Sequence, residues 1–193
     1  QVLDFDQQVR PQPALTAPDV GADETAEYCS SLSGTYVIGP SVGADFSAFA
    51  SAVGKMVVCG IAGPVTFLVE DGTYTEQIVL PNIPGNSNVN TITFRGQSLD
   101  SSLVTLTWPT GSALPTVRMS GADRVTFEHM TIQRTGSPAL QGAVVDWEST
   151  IANATTRSQY TTIRNCRLIS NATTNNLSAL VLGIAQNDES SVS

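Results

Sequence analysis

The tightest constraint on this chain is a recurrence. Val65-Thr-Phe67, Ile92-Thr-Phe94, Val125-Thr-Phe127 and Thr161-Thr-Ile163 are four returns of one pattern, whose last position advances by 27, 33 and 36 residues from each return to the next. Each return lies in a short run rich in β-branched residues and bounded by Gly, Pro, Asn and Ser, the composition of a strand. No helical period separates them. A repeat of this length built from strands and turns cannot bury its apolar face alone, so its units stack as the rungs of a solenoid.

Alternation within each run assigns faces. Val65, Phe67 and Val69 share one, with Thr66 opposite; Ile92 pairs with Phe94; Val104, Leu106 and Trp108 oppose Thr105 and Thr107. Val125 and Phe127 lead, past a bend at Glu128 and His129, to Met130 and Ile132. Ala143, Val145 and Trp147 form a further face. Ile163, Cys166, Leu168, Leu180, Leu182 and Ile184 belong to the last rung. The stretch 186–193 reads as a polar turn leading toward another strand.

Ahead of the rungs the period changes. Thr35 to Ile38 reads as a short strand. Phe46, Phe49, Ala50, Val53, Met56 and Val57 then fall near i, i+3, i+4 and i+7, which predicts a helix over 45–58 with Asp45 as N-cap and Gly60 as stop. Placed before the first rung, such a helix covers core side chains and strand edges that an open solenoid end would expose. The domain reading is a proline-containing leader at 1–33, an N-terminal cap of strand plus helix at 34–63, and β-helix rungs at 64–193 that continue beyond the chain end. The leader, with Pro11, Pro13, Pro18 and several acids, has weak intrinsic structure; it is either disordered or a strand added to an exposed sheet edge. A start at Gln1, without a signal segment, suits an exported mature chain.

Charged residues are 13% of the 193 and the net charge is −8. With nine basic residues scattered along the chain, no stripe that could neutralise phosphates is visible, and nucleic acid is excluded as a partner. No apolar run approaches the roughly 18–20 residues of a membrane-spanning helix, so no membrane insertion is expected. Cys29 and Cys59 bracket the strand and helix of the cap. They are disulfide candidates closing a loop of about thirty residues, worth roughly 3–4 kcal/mol in the chain-entropy model; two separate buried thiols are the alternative. Cys166 reads as an inert inward thiol.

Gly72-Thr-Tyr-Thr-Glu-Gln-Ile-Val-Leu80, Thr91-Ile-Thr-Phe-Arg-Gly96 and Val104-Thr-Leu106 resemble the opening of right-handed parallel β-helix proteins of the pectin-lyase-like superfamily, pectin methylesterases in particular. Together with Gly34-Thr-Tyr-Val-Ile38, Asp45-Phe-Ser-Ala-Phe49, Cys59-Gly60 and Gly63-Pro-Val-Thr-Phe67, the arrangement is similar to the N-terminal part of large secreted or surface-anchored proteins of Bacteroidota exported by the type IX system. The resemblance spans 34 to about 170 and implies an all-β, right-handed parallel β-helix with a short N-terminal capping helix. It also implies an extracellular, cell-surface location.

The resemblance can be tested on the chemistry. The esterases need a carboxylate nucleophile, a second carboxylate as acid/base and glutamines for the oxyanion on one outward face. Gln141-Gly-Ala-Val-Val145 is similar to the family's Gln-Ala-Val motif and Asn165-Cys166 to its Asn-Cys strand, but 169–174 carries no carboxylate where the family places its acid. Gln141 alone cannot perform the reaction. Asp146 and Glu148 share a strand face without an evident third ligand; His129 has no nucleophile or metal partner by spacing. Trp108 and Trp147 alternate with the apolar faces, Glu70-Asp71-Gly72 reads as a turn, and Asn153, Asn171 and Asn176 open glycosylation patterns relevant only to a eukaryotic secretory route. No catalytic, cofactor-binding or metal-ligating residue is assigned, and no cofactor is expected. The leading expectation is a non-catalytic structural or adhesive module of a large cell-surface protein, used for adhesion or in a surface filament. Its partners would be the remainder of a longer polypeptide, the export machinery, and surface polysaccharide or further copies of itself. The alternatives are a polysaccharide-active esterase or lyase and a carbohydrate-binding module.

Overall fold

The computed structural model describes residues 29–109, 114–135, 143–147 and 158–170, and the backbone of 2–3, 9–10 and 181–183. In chain order the elements are β1 (Val2–Leu3), β2 (Val9–Arg10), β3 (Leu32–Ile38), α1 (Phe49–Cys59), β4 (Ile61–Val69), β5 (Gly72–Thr75), β6 (Ile78–Pro81), β7 (Ile92–Gly96), β8 (Val104–Trp108), β9 (Val117–Ser120), β10 (Val125–Glu128), β11 (Thr131–Arg134), β12 (Val145–Trp147), β13 (Thr162–Arg164), β14 (Arg167–Ser170) and β15 (Val181–Gly183).

From β4 onward the strands fall into three sheets by order modulo three. Their orders are β13-β10-β7-β4-β3, β14-β11-β8-β5 and β15-β12-β9-β6. Every pairing among them is parallel. Three strands per turn, each pairing with its equivalent one turn on, make a parallel β-helix. β1 and β2 stand apart as an antiparallel pair.

Register converts the sequence recurrence into columns. Tyr36, Phe67, Phe94, Phe127 and Ile163 are consecutive lateral partners. The Phe67 and Phe94 rings stack at 5.0 Å and those of Phe94 and Phe127 at 5.3 Å; all three phenylalanines are fully buried. Offset-stacked rings add about 0.5–1.5 kcal/mol per pair beyond the area they bury. One residue earlier, pointing the other way, Thr35, Thr66, Thr93, Thr126 and Thr162 form a second five-membered column. Unequal repeat spacings leave the columns in register because the extra residues go into turns: β7 and β8 are separated by 97–103, β10 and β11 only by 129–130.

The helix differs from expectation at its start. α1 begins at Phe49, and Asp45 is not its N-cap: the Asp45 carboxylate accepts the Val37 N–H at 2.7 Å, tying off β3. The N-terminal amides of α1 are held from another rung, with Glu76 accepting from Phe49 N–H at 3.0 Å and Ala50 N–H at 2.8 Å. A carboxylate there satisfies orphan donors and meets the positive end of the helix dipole. The buried stripe is Phe49, Ala52, Val53 and Met56; Ala50 and Val57 lie outside it, and Phe46 packs instead against Tyr36 and Phe67. The stop is as expected, since Gly60 has φ 69° and donates to the Met56 carbonyl at 2.8 Å. A Cβ at Gly60 would also stand 2.7 Å from the Pro84 carbonyl oxygen.

Cys29 and Cys59 form a disulfide with their Cα atoms 5.0 Å apart, joining the chain just before β3 to the last residue of α1. β3 itself begins at Leu32, ahead of the expected Thr35, and pairs with β4 as part of the same sheet as the rungs. In the last rung the register puts Val181 laterally beside Val145, Val117 and Ile78, and Leu182 beside Asp146. Leu180 and Ile184 lie outside the described residues.

Candidate functional site

The outward surface follows from the same register. One residue after the stacked aromatics, the outward column reads Leu68, Arg95, Glu128 and Arg164. Glu128 is 4% exposed, and its carboxylate lies between Arg164 Nε, with which it hydrogen-bonds, and Arg95 Nη1 at 3.8 Å. Burying a carboxylate is costly unless charge and hydrogen bonds compensate, and two guanidiniums from the flanking rungs supply both. The trio rivets three rungs together on the solenoid's outside.

The column ends at the corner where the chain turns into the next sheet. His129 and Asn165 occupy equivalent corner positions one rung apart and both take positive φ, 56° and 52°. The His129 ring contacts the Leu99 carbonyl through Nδ1 at 2.9 Å and the Asn165 amide through Nε2 at 3.3 Å. The rung below uses Gly96 there; a Cβ would run into the His129 carbonyl oxygen. Further along this corner Glu70, Asp71, Gln97 and Ser98 line an open cleft of about 360 Å³. Glu70 is already engaged, accepting from Ser41 N–H at 3.1 Å. Behind it the buried Tyr74 hydroxyl donates to the carbonyls of Glu70 and Ile38 at 2.9 and 3.3 Å. Burial, helped by the negative charges of Glu70, Glu76 and Asp71, pushes the Tyr74 phenol up to about 12. At the tip of the 97–103 turn the Ser102 hydroxyl and amide hold the Asp100 carboxyl below the ordinary range.

On the third sheet the outward column is Val79, Arg118 and Asp146. Arg118 Nε faces Asp146 Oδ2 at 4.0 Å across adjacent rungs. Asp146 was expected to share its face with Glu148; it faces Arg118, and Glu148 lies outside the described residues, as do Gln141, 171–174 and Asn153, Asn171 and Asn176. Trp147 packs against the core, with Nε1 donating to Thr161 Oγ1 at 3.3 Å. Trp108 is partly buried at the end of β8, with its Nε1 fully so, while Thr107, expected outward, is only 7% exposed and sits 3.4 Å from Thr135 through their hydroxyls. Cys166 stays a free thiol, its Sγ 3.4 Å from the Phe127 carbonyl, and burial raises it above the ordinary thiol range. Among the described residues, no group of three His, Cys, Asp or Glu side chains is placed to hold a metal ion, and no helix is long and apolar enough to cross a membrane.

Sequence reasoning missed two groupings. The Arg95–Glu128–Arg164 trio was recoverable, because each member directly follows the repeat's aromatic or isoleucine position. The other is Tyr160, 66% exposed at the corner leading into β13, with Arg124 stacked 4.1 Å from its ring centroid. Both have positive φ, 57° and 51°, and nothing in their local pattern signals that. The same corner is laced from rung to rung, Asp123 N–H donating to Asn86 Oδ1 at 2.9 Å and Gln159 N–H to Asp123 Oδ1 at 2.6 Å.

No family model matches the chain, and no curated protein matches it by sequence. Among solved structures it is similar to a pectin methylesterase from Aspergillus niger, with a TM-score of 0.51 and 15% identity, over 73% of this chain and 44% of that one. At that identity the likeness establishes the fold alone, a right-handed parallel β-helix. The chain spans less than half the length of that esterase.

Proposed function

We propose that this β-helix serves as a structural and adhesive segment of a larger extracellular protein, displayed at the cell surface after export of the type IX kind found in Bacteroidota. The observation that supports it most is the double column of the first sheet, five aligned threonines outside and four aromatic rings with Ile163 inside. Nearest-neighbour stacking of this kind extends a stiff rod without requiring a new core for each added rung. The Cys29–Cys59 disulfide is consistent with an oxidising location. In this role the partners are the rest of the polypeptide, surface polysaccharide and further copies of the chain.

A second reading, a polysaccharide esterase completed by further rungs, draws on the pectin methylesterase likeness and on the Arg118–Asp146 pair facing outward from adjacent rungs. The assay that separates them is methanol release from methyl-esterified polygalacturonate by the longer polypeptide that carries the further rungs. The structural reading expects release no faster than in buffer, alongside retention on immobilised surface polysaccharide. Turnover that disappears in Asp146→Asn and Arg118→Met would replace it with the esterase reading.

A further inference from the structure

The chain enters the cap along the end of α1. Leu32 N–H donates to the Gly60 carbonyl at 2.9 Å, the Ser31 hydroxyl to the Cys59 carbonyl at 2.8 Å, and Cys29 is bonded to Cys59 through sulfur. Followed backward from Leu32, the chain therefore starts up the helix from its C-terminus. The helix surface ahead of it is uncovered: Val58 is 77% exposed, and Lys55 and Ser51, three and seven residues before it on the same stripe, are exposed too. Elsewhere the cap offers little room for an added strand. On the side of β3 away from β4, Val37 N–H is held by Asp45, the Val37 carbonyl accepts from Phe46 N–H at 3.0 Å, and the Phe46 carbonyl accepts from Gly39 N–H at 2.9 Å.

Charge points the same way. Residues 1–28 carry one basic residue, Arg10, against Asp4, Asp6, Asp19, Asp23, Glu24 and Glu27, a net of −5. Lys55 is the one basic residue in 29–94, and it stands one helical turn from Val58 on the exposed stripe. The heights agree as well. Lys55 is four residues from Cys59, about 6 Å along a helix, and Glu27 is two residues from Cys29, about 7 Å along an extended chain.

We propose that the outer stripe of α1, built on Ser51, Lys55 and Val58, is the docking surface for this chain's own leader, with residues 20–28 running from the disulfide toward the helix N-terminus and Glu27 meeting Lys55. Tethering at Cys29 makes the encounter intramolecular, so a modest surface suffices.

Hydrogen exchange of the full, oxidised chain read by mass spectrometry tests this. The amides of 20–28 are expected to exchange at least about tenfold slower than unstructured amides. Val58→Asp returns them to the unstructured rate. Lys55→Glu speeds exchange about two- to fivefold, the range of one exposed ion pair. Adding Glu27→Lys to Lys55→Glu restores protection, which a general loosening of the cap would not do. Unstructured exchange in the wild type overturns the proposal, and so does protection indifferent to Lys55→Glu. Protection that vanishes on dilution together with a dimer in light scattering overturns it too, by assigning the surface to a second copy.

Discussion

The two ends of the described solenoid are built from the same repeat and finished differently. At the first, α1 lays Phe49, Ala52 and Met56, each fully buried, over the rung, and Tyr36 and Phe46 pack around Phe67. At the other, Ile163, Cys166 and Leu168 are only partly buried, although their lateral neighbours Phe127 and Ile132, and Met130 at the bend, are completely so. No described strand lies beyond β13 and β14 in their sheets. Pattern alone therefore does not bury a solenoid residue; a neighbour on each side does. The cap at the first end achieves this with borrowed groups, Glu76 on the helix N-terminus and Asp45 on the strand edge.

Substitution at matched column positions breaks the comparison most sharply. Phe94→Ala, between two stacked rings, is expected to cost about 3–5 kcal/mol in urea unfolding. Ile163→Ala, at the last described position of the same column, should cost only about 1–2 kcal/mol. Equal costs would mean that Ile163 is covered in solution as fully as Phe94. Next in size, Cys59→Ser, or wild type under reductant, should lose roughly 3–4 kcal/mol, with the loss confined to stability and no change in the rung-derived circular dichroism at low denaturant. An unchanged unfolding midpoint would show that the pair contributes no constraint.

Smaller effects probe the borrowed caps. Glu76→Ala leaves the Phe49 and Ala50 amides without a carboxylate and should cost about 1–2 kcal/mol, with Glu76→Gln recovering part of it. Faster exchange confined to the first turn of α1 is the accompanying signature. The smallest effect is an alkaline one. Because the folded Tyr74 phenol is pushed up to about 12, above the ordinary value near 10, the unfolded chain releases this proton first as pH rises. The contribution is complete below about pH 10 and is lost between there and about pH 12. Unfolding midpoints at about pH 9 and about pH 11 should therefore differ more for wild type than for Tyr74→Phe; identical differences would remove Tyr74 as the cause.

What the sequence by itself determined was everything that repeats. Val-Thr-Phe, Ile-Thr-Phe, Val-Thr-Phe and Thr-Thr-Ile located four strands of one sheet, alternation put Phe67, Phe94 and Phe127 inside and the threonines outside, and Gly60 marked the end of the helix. Those are properties of a single strand or turn, written at a period of two or 3.6 residues. Only the tertiary structure decided that Glu76 rather than Asp45 holds the start of α1, that Glu128 lies between Arg95 and Arg164, and that Tyr160 stacks on Arg124. These depend on which residue of one rung lies beside which residue of the next. Turns of unequal length separate the rungs, so that lateral register is set when the sheets and their stacked core form together, at sequence distances no local pattern encodes.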